Sequence, residues 1–418
     1  MPRGTSPLPL AALIAAQDQV DRGDGLRAVL PLAGRTLIEH QAGLARRAGA
    51  AHVVVLVERV PAALAQSIDR LRRDGLRIEI ARSVGDAVDR FHPEERVLLV
   101  ADGVVAAQAA VDALVDTAGP ALLALPDTQD HAAFERIDAE DRWAGYAVMD
   151  KAMLVETANM LGDWDFSSTL LRRLVQGDAL RIPALAPDGP ASDGGAPLPP
   201  PVIATGPAAT LAIEHLLLRR AERGEGNWAE RHLHRLIAAP LLPQVMVRRI
   251  DERHVAWGAA AVAVLAVLLA AFGLFWGAVL LLPLAAAGGA LARRMGLVWG
   301  EAPAEFLPGV VRMLSAAAVL GLLARQEAAT GGWGWWTIAA LVPAALAGMA
   351  ALKPVARALR AAPTPLWTAS GDALLWLAPA LTVLGGWRWA IAALAVYAGA
   401  SFLERFRAVW KSANLCDD

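Results

Sequence analysis

The sequence predicts an α/β domain on a mainly parallel sheet, followed by an all-α bundle of six transmembrane spans. Three observations carry that reading. Hydrophobic residues make up 56% of the 418 residues and charged residues 19%, against roughly 45–50% and about 25% in soluble domains. Charge is divided unevenly: residues 1–254 hold 28 basic and 34 acidic side chains, whereas residues 255–418 hold 11 and 7. Long apolar runs are confined to the second stretch. Together these exclude a single soluble globule, a disordered chain and a secreted disulfide scaffold. They also argue against a nucleic-acid partner, because the polar stretch is acidic and repels phosphate. The sole cysteine, Cys416, has no partner for an internal disulfide.

The elements follow in order. The apolar run at 10–16 predicts the first core strand. The competing reading, a signal peptide after Arg3, would export a domain that the loop charges place in the cytoplasm. Further strands are expected at 52–57, 76–80, 96–101 and 121–125, alternating with helices at 36–48, 60–74, 84–91 and 107–118. That rhythm marks βα units. The unbroken runs Val53-Val54-Val55-Leu56-Val57 and Val97-Leu98-Leu99-Val100 are what parallel strands buried on both faces require. Residues 134–150 predict extended chain, and 151–161 and 167–176 helices. The α/β domain is taken as 1–183, and the Pro/Gly-rich stretch 184–205 as a loop or linker. Juxtamembrane helices at 206–254, a bundle at 255–403 and a tail at 404–418 complete the chain.

Six spans are expected, at 255–273, 275–292, 307–324, 334–352, 367–386 and 388–403, each near the ~20 residues that cross a bilayer. With residue 254 in the cytoplasm, the cytoplasmic ends carry Arg248, Arg249, Arg253, Arg293, Arg294, Lys353, Arg357, Arg360, Arg405, Arg407 and Lys411, and the far side only Arg325 and Arg388. This positive-inside bias predicts a multi-pass protein of the bacterial inner (cytoplasmic) membrane, with both termini in the cytoplasm and the lipid bilayer as a partner. Trp333, Trp335, Trp336, Trp387 and Trp389 then form an aromatic belt on the far side. Arg312 and Asp372 fall inside spans, where an unpaired charge is costly. They predict either an ion pair or a polar site facing a cavity.

In open α/β sheets, ligands bind beyond the carboxyl ends of strands. Two segments lie there: the loop Gln17-Asp18-Gln19-Val20-Asp21-Arg22-Gly23-Asp24-Gly25-Leu26-Arg27, and Asp102 after the 96–101 strand. A carboxylate at a strand tip can hold a divalent metal on a nucleotide phosphate. The alternative is an ordinary turn at Asp102-Gly103.

The segment from Leu26 to Gln41, with Pro31-Leu32-Ala33-Gly34-Arg35-Thr36-Leu37-Ile38 at its centre, resembles sugar-nucleotide pyrophosphorylases and cytidylyltransferases. That family carries A-A-G-x-G-x-R and then P-K-x-L-x-P-x-x-G-[RK]-P-[LI]-[IL]. The resemblance, over about residues 8–185, implies a nucleotide-binding cleft in which a glycine loop and basic residues cradle phosphates and a strand-tip aspartate holds Mg²⁺. Ala15 and Ala16 match. The loop glycines fall at Gln17 and Gln19, the loop arginine at Asp21 and the lysine at Arg27; Asp102 takes the metal aspartate's place. A glutamine crowds a loop that must let backbone amides approach phosphate, and Asp21 repels it.

The bundle resembles the CDP-alcohol phosphotransferases, whose signature D-x2-D-G-x2-A-R-x8-G-x3-D-x3-D supplies four metal-binding aspartates. Gly289, Ala292 and Arg293 match it, whereas the aspartate positions are Ala285, Gly288, Phe306 and Val310, and the second glycine falls at Ala302. Glu301 and Glu305 lack the spacing. Two-metal chemistry needs carboxylates to hold its cations. The order of the halves is similar to the bifunctional inositol-phosphate cytidylyltransferase/di-myo-inositol-phosphate-phosphate synthase family. That resemblance implies a CTP-like nucleotide, a phosphorylated polyol or sugar, and a homodimer. With both signatures incomplete, the expected role is a non-catalytic scaffold or regulator. The alternatives are a membrane-anchored nucleotidyltransferase with an inactive bundle, and a transporter built on Arg312 and Asp372.

Overall fold

A computed structural model describes residues 9–21, 25–160, 165–185, 200–222, 228–248, 250–299, 306–359 and 365–414. Most of the Pro/Gly-rich stretch, together with Arg3, Gly23, Asp24, Arg249, Glu301, Ala302, Glu305, Arg360 and Cys416, lies outside them. The chain divides into two compact units, Met1–Arg219 and Arg220–Asp418.

The first unit carries eleven strands among its described residues: β1 (Leu10–Ala15), β2 (Pro31–Leu32), β3 (Arg35–Thr36), β4 (Ala50–Leu56), β5 (Ile78–Ala81), β6 (Arg96–Val100), β7 (Val104–Val105), β8 (Ala121–Pro126), β9 (Asp141–Asp150), β10 (Leu180–Pro183) and β11 (Val202–Ile203). Its helices are α1 (Leu37–Arg47), α2 (Ala62–Arg73), α3 (Val84–Asp89), α4 (Gln108–Val115), α5 (Lys151–Met160) and α6 (Phe166–Gln176), and α7 (Pro207–Glu222) runs on across the unit boundary. Seven strands form one sheet in the order β10-β8-β9-β6-β1-β4-β5. All neighbours are parallel except β9, which runs antiparallel to both β6 and β8. β11 pairs with β7, and β2 with β3, as two-stranded ribbons.

The sequence explains this sheet. β1, β4 and β6 are apolar on both faces, so alternate side chains feed two cores. Leu10, Ile14, Val53, Val55 and Leu98 join one layer, and Leu13, Val54, Val97 and Leu99 the other. Each fully buried Leu, Ile or Val contributes about 1.5–3 kcal/mol of transfer free energy. From β1 the chain builds outward through β4 and β5, then crosses to β6 on the other side. The sheet therefore has its switch point between β1 and β6, where a crevice opens beyond their carboxyl ends.

The second unit holds a π-helical turn (Ala229–His234), α8 (Arg235–Val247), α9 (Glu252–Ala271), α10 (Phe275–Trp299), α11 (Phe306–Gly331), α12 (Gly334–Ala358) and α13 (Gly371–Asn414). Five of these, α9 to α13, are long and apolar enough to cross a membrane. Their burial is inverted relative to a soluble helix. Apart from Glu252 at its start, the buried positions on α9 are Ala256, Ala259, Ala260, Ala263, Ala266 and Ala270, while Trp257, Leu265, Leu268 and the following Phe272 are exposed. Small residues inside and bulky apolar ones outside suit a lipid solvent, where association depends on close packing rather than on burying apolar surface.

α13 is not one straight rod. Gly386 sits at φ 75°, ψ −179°, a conformation closed to helical residues with a side chain. The backbone N–H of Ala369 donates to Ser401 Oγ at 2.8 Å, and Tyr397 Oη donates to the Trp367 carbonyl at 2.7 Å. An unbroken helix would hold residues 32 positions apart about 48 Å from each other. The chain therefore doubles back at Gly386, into arms 371–385 and 387–414. The break falls at the last residue of the stretch read from sequence as the fifth span, just before the sixth.

Candidate functional site

The candidate site in the first unit lies at the β1/β6 switch point. β1 ends at Ala15, and Ala16 is fully buried behind it, so both matched alanines form the floor. The loop at 17–21 then turns toward β6. Asp102 stands at the tip of β6 and accepts a hydrogen bond from the backbone N–H of Asp18 at 2.7 Å. Arg27 returns across the same crevice. Its Nη1 donates to Asp18 at 3.0 Å, its Nη2 to Asp21 at 2.8 Å and its Nε to the Gln19 carbonyl at 3.1 Å. The sequence-selected pair Arg27 and Asp102 thus shares one crevice, joined through Asp18.

Asp102 is held firmly. Gln41 Nε2 donates to the carbonyls of Ala101 and Val104 at 3.1 and 2.9 Å, and Tyr146 Oη donates to the Val104 carbonyl at 3.2 Å. Gly103 adopts φ +75°. A β-carbon there would lie 3.3 Å from the Ala204 carbonyl and 3.4 Å from Arg27 Cδ, so the turn requires glycine. Asp102 Oδ1 is sealed from solvent and has no hydrogen-bond partner among the described residues. Burial pushes its carboxyl up to about 7, against the opposing pull of the Asp18 N–H and Arg27. Nearby His40 stays neutral, its pKa lowered to about 3 by burial with Arg47 and Arg35 adding repulsion.

These donors do not fit a resident Mg²⁺. Asp18 and Asp21 are turned to a guanidinium, Asp102 Oδ2 accepts from the Asp18 N–H, and Asp102 Oδ1 is sealed from solvent. Among the described residues, no group of three acidic, histidine or cysteine side chains is placed to hold an ion. What the crevice does contain is an arginine whose charge is met by the protein's own carboxylates.

In the second unit, three residues read separately from the sequence converge. Asp372 bonds Arg293, and its other oxygen accepts from Arg312 Nη2 at 3.2 Å. Asp372 is the second residue of α13, and Arg312 lies roughly two turns into α11. The ion pair expected from sequence is present, close to helix ends rather than at mid-helix. The opposite end of the bundle is marked by Arg388 Nε donating to Glu327 at 2.6 Å and by Trp387 against Phe275 and Trp276.

Gly289 and Ala292 are buried on α10, one turn before and beside Arg293. Ala285 is fully buried too. A β-carbon at Gly288 would lie 2.9 Å from that of Ala259, inside ordinary contact distance. At Gly288 the helices approach so closely that a side chain would have to displace Ala259, whereas Phe306 and Val310, the other two positions where the resemblance expects carboxylates, are exposed.

Three features escaped the sequence reading. Asp18 has no role in the sequence reading and Asp21 only that of repelling phosphate, because nothing in their spacing says that Arg27 folds back on them. Glu230 and Arg294 were missed as members of the Arg293 cluster: Arg293 reaches Glu230 at 3.4 Å and Arg294 donates to the Glu230 carbonyl at 3.1 Å. In the sequence Arg294 reads only as loop charge, while Arg293 also matches the phosphotransferase signature. Finally, β11 and α7 pack onto the crevice, which the Pro/Gly-rich composition before them concealed. No known family model matches this chain, and no curated protein matches it in sequence.

Proposed function

We propose that the chain is a membrane-embedded, non-catalytic relative of the fused cytidylyltransferase and CDP-alcohol phosphotransferase proteins. In this reading it scaffolds or regulates polyol- or lipid-phosphate synthesis at the cytoplasmic membrane. The observation that carries it is the self-occupied crevice: Arg27, the group that would meet a nucleotide phosphate, is held by Asp18 and Asp21. The Gly288–Ala259 approach supports the same reading for the bundle. The reversal at Gly386 supports six crossings rather than five, and the charges at the Arg293 end support a cytoplasmic orientation. The crevice then serves as a receptor for a CTP-like ligand, whose phosphates compete with the two aspartates for Arg27.

The test is turnover by the purified full chain in detergent, given CTP, Mg²⁺ and inositol or sugar phosphates. Pyrophosphate release is expected to stay at the no-protein background. Release above background that Asp102→Ala abolishes would establish the second reading, a membrane-anchored nucleotidyltransferase. Asp102 favours that alternative, because a strand-tip carboxyl titrating near neutrality suits proton transfer.

A further inference from the structure

We propose that residues 202–217 form a strap that couples the state of the Arg27–Asp102 crevice to the membrane unit. The strap touches three segments around the crevice: the turn at 103–105, the loop at 17–21 and the turn between β2 and β3. The backbone N–H of Ala204 donates to the Gly103 carbonyl at 2.7 Å, beside Asp102, and β11 pairs with β7 in the same turn. The N–H of Asp21 donates to the Thr205 carbonyl at 3.1 Å. Glu214 on α7 accepts from the N–H of Ala33 at 3.3 Å. Ala33 is a buried non-glycine residue at φ 48°, in the turn between β2 and β3. Such a conformation costs about 1–2 kcal/mol and persists where neighbours enforce it.

An apolar patch backs these bonds. Ala204 and Ile213 pack with Leu30, Leu32, Leu37 and Val105, and with Val20 at the edge. This patch is separate from the two layers of the sheet. One strap residue, Ile203, also packs against the larger layer of the sheet, so the strap meets both the Gly103 turn and the edge of the core. It is also the stretch of chain that leads out of the unit: α7 begins at Pro207, and the second unit starts at Arg220. When Arg27 releases Asp21, the loop at 17–21 loses one of the side-chain anchors that hold it, and the Asp21 N–H that meets Thr205 is less firmly placed. Anything that shifts α7 acts back on Asp21, Ala33 and Gly103, because coupling between two sites is reciprocal.

The proposal rests on the crevice being a ligand-responsive site, so the test separates the two ideas. The full chain in lipid nanodiscs is followed by amide hydrogen exchange, in three arms. Asp21→Ala, an exposed change, is expected to speed exchange by roughly threefold or more across 202–217 and in 228–248. Glu214→Ala is expected to loosen 17–21 and 101–105 in turn, with Glu214→Gln, which keeps an acceptor, restoring them. Addition of CTP with Mg²⁺ is expected to protect crevice and strap together. Faster exchange confined to 17–21 in Asp21→Ala, or confined to α7 in Glu214→Ala, overturns the strap. Protection by CTP of the crevice alone also overturns it, while leaving the receptor reading intact. Protection of neither region overturns the receptor reading, and the two substitutions still decide the strap.

Discussion

The two units hold mirror images of one motif. In the α/β unit one arginine, Arg27, is gripped by two aspartates; in the bundle one aspartate, Asp372, is gripped by two arginines. The surroundings differ. The side chains of Asp18 and Asp21 are 55% and 53% exposed, whereas those of Arg312 and Asp372 are 4% and 6% exposed. Water screens the first cluster, so each of its ion pairs is worth about 0–1 kcal/mol and can be exchanged for a ligand anion. In the second, Arg312 and Asp372 have surrendered their hydration while Arg293 keeps a 29% exposed side chain, and removing Asp372 takes the carboxylate from the buried Arg312. The same chemistry is a latch in one place and a rivet in the other.

The comparison breaks most easily at Asp372. Asp372→Ala is expected to destabilise the bundle by about 3–5 kcal/mol, read as a large fall in the thermal midpoint in detergent; a fall of only one or two degrees would put the cluster in contact with water. Next comes Gly288→Leu. Forcing a side chain against Ala259 should cost about 1–3 kcal/mol through overpacking, and Ala259→Gly in the same chain should recover part of it.

Asp102→Asn is a subtler test. Burial raises the folded carboxyl to about 7, above its ordinary 3.8. The folded state therefore binds the proton more tightly, and wild-type stability falls as pH rises from about 4 to 7. The neutral variant should be more stable than wild type at pH 8, by on the order of 2 kcal/mol. The two should converge at pH 4. Equal stability at both pH values would mean that Asp102 ionises freely. The smallest effect is expected from Asp21→Ala, no more than about 1 kcal/mol in unfolding. It should nevertheless raise the apparent affinity for CTP, measured by calorimetry, because Arg27 is then half released.

Much of the fold was legible because one physical requirement governs each region. Strands buried on both faces must be apolar throughout, as Val53–Val57 are, and spans must be long and apolar. The short pieces were not. β2 and β3 have two residues each, and their turn places Ala33 as well as Gly34 at positive φ. β10 contains a proline and is largely exposed. β11 owes its pairing to Val104 and Val105, about a hundred residues earlier. In the site, Arg27 and Asp102 were readable from position, since strand tips at a switch point face the crevice. The role of Asp18 and Asp21 depends on a side chain folding back over its own loop, and no periodicity encodes that. The bundle cluster was half readable: charge inside an apolar run demanded a partner for Asp372, but which arginines answered was a matter of packing.

The contact between Gly288 and Ala259 also limits what single mutations can reach. A codon change that put aspartate at 288 would wedge α9 away from α10 before the new carboxylate met any cation. The neighbouring alanine would have to shrink first. An ion-binding role at that seam is therefore separated from the present sequence by at least two steps, the first with no benefit of its own, and the tight seam works as a ratchet.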